Sequence, residues 1–394
     1  MLNTTYDAAL SLLPSYAVPF FSLSYPLPPP EKPDSFPNAS YYGLGPLDLC
    51  LFVTWIAVLG VVREFTRIVV FEPIGRWYLT RKDAEADRRR AALKQPSGVP
   101  AEKKPANGNT TAHATAQPKK LSKREQLRER CVQRFGEQGY QLAYFVIYWS
   151  YGVYLHVNFP HSPWRLDHLW IGYPHFPLAA PAKFYYLSQC AFWTHSVLVL
   201  NAEAHRADHW QMMSHHFVTI SLLAASYLGN NTRVGCLILV LTDLCDIFLP
   251  LAKMTRYLGF ATLCDIMFGV FMVSWIITRQ ILFGFVLVST YGAPKHAPFK
   301  WDPATGYYFT RNIHAGFMVF LGMLMVMLCI WSSMMFRVAF KVIRGQTAED
   351  SRSDDELELA SDDADDDDFT TKTKDTVNAA SVLEPVSPVK TKTK

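Results

Sequence analysis

Apolar residues in this chain are gathered into long runs separated by polar stretches. The first run, at residues 46–70, contains LCLFVTWIAVLGVV, and further runs lie near 140–157, 184–202, 213–229, 233–251, 263–288 and 313–337. Each is close to the ~20 residues that a helix needs to cross a bilayer. The pattern predicts an all-α polytopic membrane protein with about seven transmembrane helices, the last six forming a bundle. Asn230-Asn231-Thr232 reads as a tight turn between two of the helices. Residues 160–181, rich in Pro and Gly, and 289–312, with Pro294, Pro298, Asp302 and Pro303, read as loops. Residues 1–45 carry Pro28-Pro29-Pro30 and predict an irregular segment without a core of its own. Residues 76–132 read as a flexible, basic cytosolic linker, and 345–394 as a disordered acidic tail. The first run is broken by Arg63, Glu64 and Arg67, which makes it the weakest of the seven. No cleavage-site pattern follows the N-terminus, so this run is expected to act as an uncleaved signal.

Charge then sets orientation. The formal net charge of +4 conceals a basic block at 76–130 and an acidic one at 349–368. Neither is interleaved with aromatic residues that could stack on bases, which argues against nucleic acid as a partner. With seven spans, the basic block, Arg206, Lys253, Arg256 and the root of the tail fall on one side. By the positive-inside rule that side is the cytosol. The N-terminus is then lumenal, which suits glycosylation at Asn3 and Asn38, whereas the sequon at Asn109 would stay bare. The seven cysteines form no CxxC pair and read as small core residues.

Four ionisable residues fall inside the apolar runs. His215 and His216 open the fourth, and Asp243 and Asp246 lie in the fifth. Such groups are expensive in a membrane, so they point to function. Asp246 and Asp243 lie roughly 9 and 13 Å from the predicted cytosolic end, at ~1.5 Å per residue. Their three-residue spacing predicts a shared helix face, and the two helices are expected to stand side by side. His195 falls at a similar depth. A neutral buried imidazole can take a proton or attack a thioester, and a carboxylate on its second nitrogen would fix its tautomer. The plainer alternative is a buried ion pair that only fixes packing. A metal reading also competes, because His205, His209, His215 and His216 are spaced like part of a di-iron histidine box. No second HxxHH follows, and no metal or other bound cofactor is expected.

KFYYLSQCAFWTH at 183–195, the pattern of Glu203, Arg206 and Asp208, then HHFVT, SYLGNNTRVG and DLCDIFLPLAKMTRYLG resemble the ceramide synthases. These are the longevity-assurance homologues, sphingoid-base N-acyltransferases with a TLC domain. The resemblance covers roughly 133–340. It lacks the homeobox-like insert of many animal members, and so looks closer to a fungal or plant form. The resemblance implies an endoplasmic-reticulum enzyme that joins a fatty acyl group from acyl-CoA, its co-substrate, to a long-chain base. It implies that His215, His216, Asp243 and Asp246 are catalytic, with His215 carrying the acyl group. Trp193, His195, Glu203, Arg206, Asp208, Lys253, Arg256 and Arg279 become candidate substrate-binding residues. Implied partners are membrane lipids, related synthases in an oligomer, or a small regulatory subunit. A non-catalytic TLC protein for lipid sensing or trafficking is the rival, but such relatives usually lack the paired histidines and aspartates together. In the tail, Ser351, Ser353 and Ser361 precede acidic residues and are candidate phosphorylation sites. Lys390 and Lys392 form a K-x-K-x-x retrieval signal.

Overall fold

The computed structural model describes residues 12–30, 36, 38–94, 122–159, 165–202 and 208–344. Asn3, Asn109, Glu203, Arg206, Ser351, Ser353, Ser361, Lys390 and Lys392 lie outside the described residues. Each of the seven apolar runs falls on a helix. The first rod is α1 (Asp48–Phe65), continued by a π-helical turn (Thr66–Phe71) and α2 (Glu72–Lys94). Next come α3 (Lys123–Asn158), α4 (Ala180–Ala202) and α5 (His209–Leu228). The fifth rod is divided into α6 (Thr232–Asp243) and α7 (Cys245–Tyr257). Then α8 (Ala261–Trp275), a second π turn (Ile276–Leu282) and α9 (Phe283–Gly292) form one rod, and α10 (Arg311–Ile343) ends the bundle. Counted as continuous rods, the fifth in chain order is therefore α6–α7 and the seventh is α10 preceded by α8–α9.

Four of these stretches, Asp48–Ala92, Thr232–Tyr257, Ala261–Lys295 and Arg311–Phe340, are long and apolar enough to cross a membrane. The two faces of α10 show why the chain needs lipid around it. Leu321, Leu324, Leu328 and Trp331 are buried at spacings of three and four. Val319, Met323, Val326 and Ile330 repeat the same spacing on the opposite face and are exposed. A helix apolar all round belongs in a membrane, and the protein is a multi-pass membrane protein. Within the bundle α1 packs on α4, α4 on α5, α5 on α10, and α3 on both α6 and α7, while α7 lies against α8.

The charges that weaken the first run neutralise one another. Arg67 bridges Glu64 and Glu72, each at 2.6 Å, around the π turn, and Arg63 pairs with Glu64 at 2.9 Å. The expected flexible linker is helical at both of its ends. α2 runs to Lys94, and α3 starts at a capping box in which Ser122 and Glu125 exchange hydrogen bonds. Arg76–Glu129 at 2.7 Å and Arg124–Asp83 at 3.0 Å hold the two helices together. Residues 95–121 lie outside the described residues.

The N-terminal segment also departs from expectation. Strand β1 (Pro26–Leu27) pairs with β2 (Tyr41–Tyr42), which pairs with β3 (Leu178–Ala179), all antiparallel. This small sheet ties the N-terminal segment to the loop before α4. Beneath it Lys183, with no exposed surface, meets Asp48 at 2.6 Å and donates to the carbonyls of Ser24 (2.8 Å) and Gly43 (2.7 Å). Tyr227, near the end of α5, donates to Asp48 at 2.9 Å. A second hairpin, β4 (Lys300–Asp302) with β5 (Tyr307–Phe309), fills the loop before α10.

Breaking a buried pair by removing one partner is strongly destabilising. Asp48→Ala should therefore lower stability by about 3–5 kcal/mol, read as thermal unfolding in detergent. The double variant Asp48→Leu with Lys183→Met should recover part of the loss. A single variant that melts like the parent would show that the pair does not anchor the segment.

Candidate active site

Adjacent residues on a helix point about 100° apart, so His215 and His216 face different surroundings on α5. His216 is buried, and its Nδ1 donates to the Met212 carbonyl at 2.6 Å, one turn back. A carbonyl can only accept, so this bond leaves Nε2 as the lone-pair nitrogen of the neutral ring. The Nδ1 of His215 is buried and has no hydrogen-bond partner among the described residues. Trp193, from α4, stands edge-on to both rings, with centroids 5.8 Å from His215 and 5.5 Å from His216. Trp331, from α10, closes the other side of His215 at 5.1 Å.

Asp243 ends α6 and Asp246 lies in the first turn of α7, with Leu244 between them at helical dihedrals (φ −58°, ψ −47°). Pro250 interrupts the hydrogen-bond ladder of this rod, since it has no N–H for the Asp246 carbonyl and its ring crowds that turn. The two carboxylates reach different partners. Asp243, with no exposed surface, accepts from Gln189 Nε2 at 3.0 Å, and Gln189 Oε1 accepts from the Tyr144 hydroxyl at 3.1 Å. Tyr144 is stacked on Phe192 with centroids 3.5 Å apart. Asp246 accepts from Arg279 at 2.5 Å. The same guanidinium donates twice to the Thr242 carbonyl (2.7 and 3.3 Å) and lies 4.4 Å above the Trp275 ring. Arg279 sits in the second π turn, a local widening that re-aims side chains and is common at functional sites. Its charge acts on His215 as well as on both aspartates.

The predicted imidazole–carboxylate hydrogen bond is therefore absent: each carboxylate of the pair is held by another side chain. The physical reason is the space between the helices. A cavity separates α5 from α6, bounded also by α9, α10 and the π turn. It runs from His215, Thr242, Arg279 and Leu328 at one end to Ser226, Asn231, Thr290 and Phe317 at the other. On every wall these pairs are eleven residues apart, or about 16 Å of helix. The side walls are Leu, Val and Ile, and polar side chains stand at both ends, His215, Thr219, Thr242 and Arg279 at one and Ser226, Asn231 and Thr290 at the other. At the His215 end, Trp193 Nε1 and Thr219 Oγ1 are, like His215 Nδ1, buried without a hydrogen-bond partner among the described residues. An apolar lining with a few polar groups is the composition of a ligand site.

Of the other predicted residues, Trp193 and Arg279 line this cavity and His195 does not. His195 lies instead against α1, its Nε2 3.6 Å from where a Cβ on Gly60 would stand. Asp208 is buried just before α5, and Lys253 and Arg256 are half-buried on α7, away from the cavity lining. Among the described residues no group of three His, Cys, Asp or Glu side chains could hold a metal ion. Gln189, Thr219 and Trp331 escaped the sequence reading. Gln189 alone gave a signal, as an amide in the middle of an apolar run; the other two read as ordinary wall residues.

The TLC domain model matches residues 134–337. Sphingosine N-acyltransferase lag1 of Schizosaccharomyces pombe is 33% identical over 347 residues, which cover 87% of this chain and 74% of that protein. This chain belongs to the TLC-domain ceramide synthase family. Ceramide Synthase FUM18 of Gibberella moniliformis is 35% identical over 254 residues, 58% of this chain and 59% of that protein. Ceramide synthase 5 of Homo sapiens is 30% identical over 262 residues, covering 66% and 62%. The TLC domain begins inside α3 and ends inside α10, so all of the cavity walls belong to it and α1 and α2 stand outside.

Within this TLC domain the Arg279 guanidinium has a structural duty that can be measured. Asp246→Ala leaves a buried cation unpaired and should destabilise the protein by about 3–5 kcal/mol. Asp246→Ala with Arg279→Leu should be more stable than Asp246→Ala alone, as followed by thermal unfolding of the purified protein. Equal melting of the single and double variants would contradict the pairing.

Proposed function

We propose that the protein is a sphingoid-base N-acyltransferase, which makes ceramide or dihydroceramide and CoA from a long-chain base and a fatty acyl-CoA. The observation that carries this reading is a single imidazole, His215, at one end of an apolar-walled cavity about 16 Å long. A fatty acyl chain fits the walls, and its thioester carbonyl then lies beside the imidazole.

The chemistry follows from that placement. A ring nitrogen of His215 attacks the thioester carbonyl, the C–S bond breaks, and CoA leaves as the thiol with the proton lost from the imidazole. The amine of the long-chain base then attacks the acyl-imidazole. The amide bond forms, the acyl–nitrogen bond breaks, and the amine proton returns to the imidazole. His216, with its free Nε2, is placed to accept and pass on that proton. Arg279, the Trp193 N–H and the Thr219 hydroxyl offer positive charge and donors to the carbonyl oxygen as it becomes negative. Asp246 keeps Arg279 in place, and Asp243 ties the end of α6 to α4 through Gln189. No bound cofactor enters these steps; acyl-CoA is a co-substrate.

The protein would act in the endoplasmic-reticulum membrane with seven spans, a lumenal N-terminus and a cytosolic C-terminus. Asn38 is exposed in a turn on the lumenal side of that topology. CoA would enter from the cytosol, where Arg206, Lys253 and Arg256 can meet its phosphates. His195, Glu203 and Asp208 remain candidates for contacts with the base at the same end. Related synthases or a small regulatory subunit are the expected protein partners.

The direct test supplies membranes from a host lacking ceramide synthesis with a sphingoid base and a panel of acyl-CoAs. The wild type should form ceramide. His215→Ala should form none above background, and His216→Ala should lose at least about 10²-fold, each at an unchanged protein level. Near-normal activity of His215→Ala would remove that residue from the reaction.

A further inference from the structure

Trp170 is the one wall of the cavity supplied by the loop between α3 and α4; every other lining residue comes from a helix or the Asn231 turn. Its position along the cavity can be read from its neighbours. The indole Nε1 donates to Ser289 Oγ at 3.1 Å, next to Thr290, and Ser289 Oγ in turn donates to the Leu166 carbonyl at 3.1 Å. Trp170 shares a buried cluster with Val234 and Val286, and its ring lies 6.1 Å from that of Phe309 in β5. Thr290 and Asn231 mark the end opposite Arg279 and Thr242, so Trp170 stands at the end far from His215. Phe317 belongs to the same end, because its ring comes within 4.0 Å of a Cβ built on Gly229, just past the last turn of α5. At that end Trp170 is 4% exposed, Asn231 4% and Thr290 2%.

We propose that the Trp170 indole, flanked by Thr290 and Phe317, is the floor that sets the longest acyl chain the cavity accepts. This rests on the reading of the cavity as an acyl site. The walls alone cannot set a length, since their side chains repeat Leu, Ile and Val along the whole run. A chain that reaches the indole has no apolar volume left to enter. The floor cannot simply swing aside, because the indole is tied to Ser289 on one side and packed on Phe309 on the other. The loop that carries it is further pinned at Leu178–Ala179 by pairing with Tyr41–Tyr42, so the N-terminal segment contributes indirectly to the same gauge.

One extra or missing methylene in an apolar pocket changes discrimination by about 10–200-fold, so the test has a large signal. Membranes carrying wild type, Trp170→Ala or Trp170→Phe are given one sphingoid base and a mixture of saturated acyl-CoAs differing by two carbons. The ceramide products are then resolved by mass. Trp170→Ala should move the preference toward longer chains by at least about tenfold per two-carbon step, and Trp170→Phe should move it less in the same direction. If neither variant accumulates, Thr290→Leu adds bulk beside the indole and should shorten the products. An active Trp170 variant with the wild-type distribution, or an unchanged distribution in Thr290→Leu, would overturn the proposal. Absence of any ceramide from the wild type would instead defeat the acyltransferase reading itself.

Discussion

The clasp of Arg279 on Asp246 and the Thr242 carbonyl is what lets this bundle hold charge at its centre. Three groups are satisfied at once: a guanidinium, a carboxylate, and the Thr242 backbone oxygen. Without the carboxylate the guanidinium would be an unpaired cation in a low-dielectric interior. Without the guanidinium the Thr242 carbonyl would keep only the weak Cys245 thiol donor at 3.3 Å. Gln189 does the corresponding work for Asp243 from the other side of the rod. Each carboxylate is thereby tied to a neighbouring rod, Asp243 to Gln189 and Asp246 to Arg279, and not to a histidine.

That division has a chemical consequence. In a Ser-His-Asp arrangement the carboxylate serves the imidazole, and the imidazole serves a separate nucleophile. Here His216 is oriented by a backbone carbonyl, and His215 is wedged between Trp193 and Trp331 with its Nδ1 unpaired. An imidazole positioned by packing and not committed to a proton partner is suited to react itself. The Arg279 charge nearby suits a step in which negative charge appears on a carbonyl oxygen. The cavity beyond supplies what a long acyl chain needs, which is apolar wall and few polar groups.

Much of this was legible in the sequence. The apolar runs located all seven rods, since a membrane helix must satisfy its own backbone and shows its length directly. The histidine and aspartate pairs were legible because ionisable groups in such runs are conspicuous. What stayed hidden depends on the third dimension. Asp243 and Asp246 have the spacing of a shared face, but nothing local announces that Gln189 of α4 meets the one and Arg279 of the second π turn the other. Ser122 and Glu125 have the spacing of a capping box, yet the composition around them argued for a flexible linker. Lys183 and Asp48 lie 135 positions apart, and no local pattern announces that they meet beneath a sheet built from the N-terminal segment. Gln189 was visible as an oddity, but its partner was not.

The central claim is that His215 carries the acyl group between the two substrates. It is tested most directly by mixing the purified protein with acyl-CoA in the absence of a long-chain base and measuring the mass of the peptide that contains His215. The account predicts a peptide heavier by one acyl group, formed with release of CoA and returned to its unmodified mass when the base is added. A peptide that stays unmodified while the same preparation makes ceramide on addition of the base would contradict it.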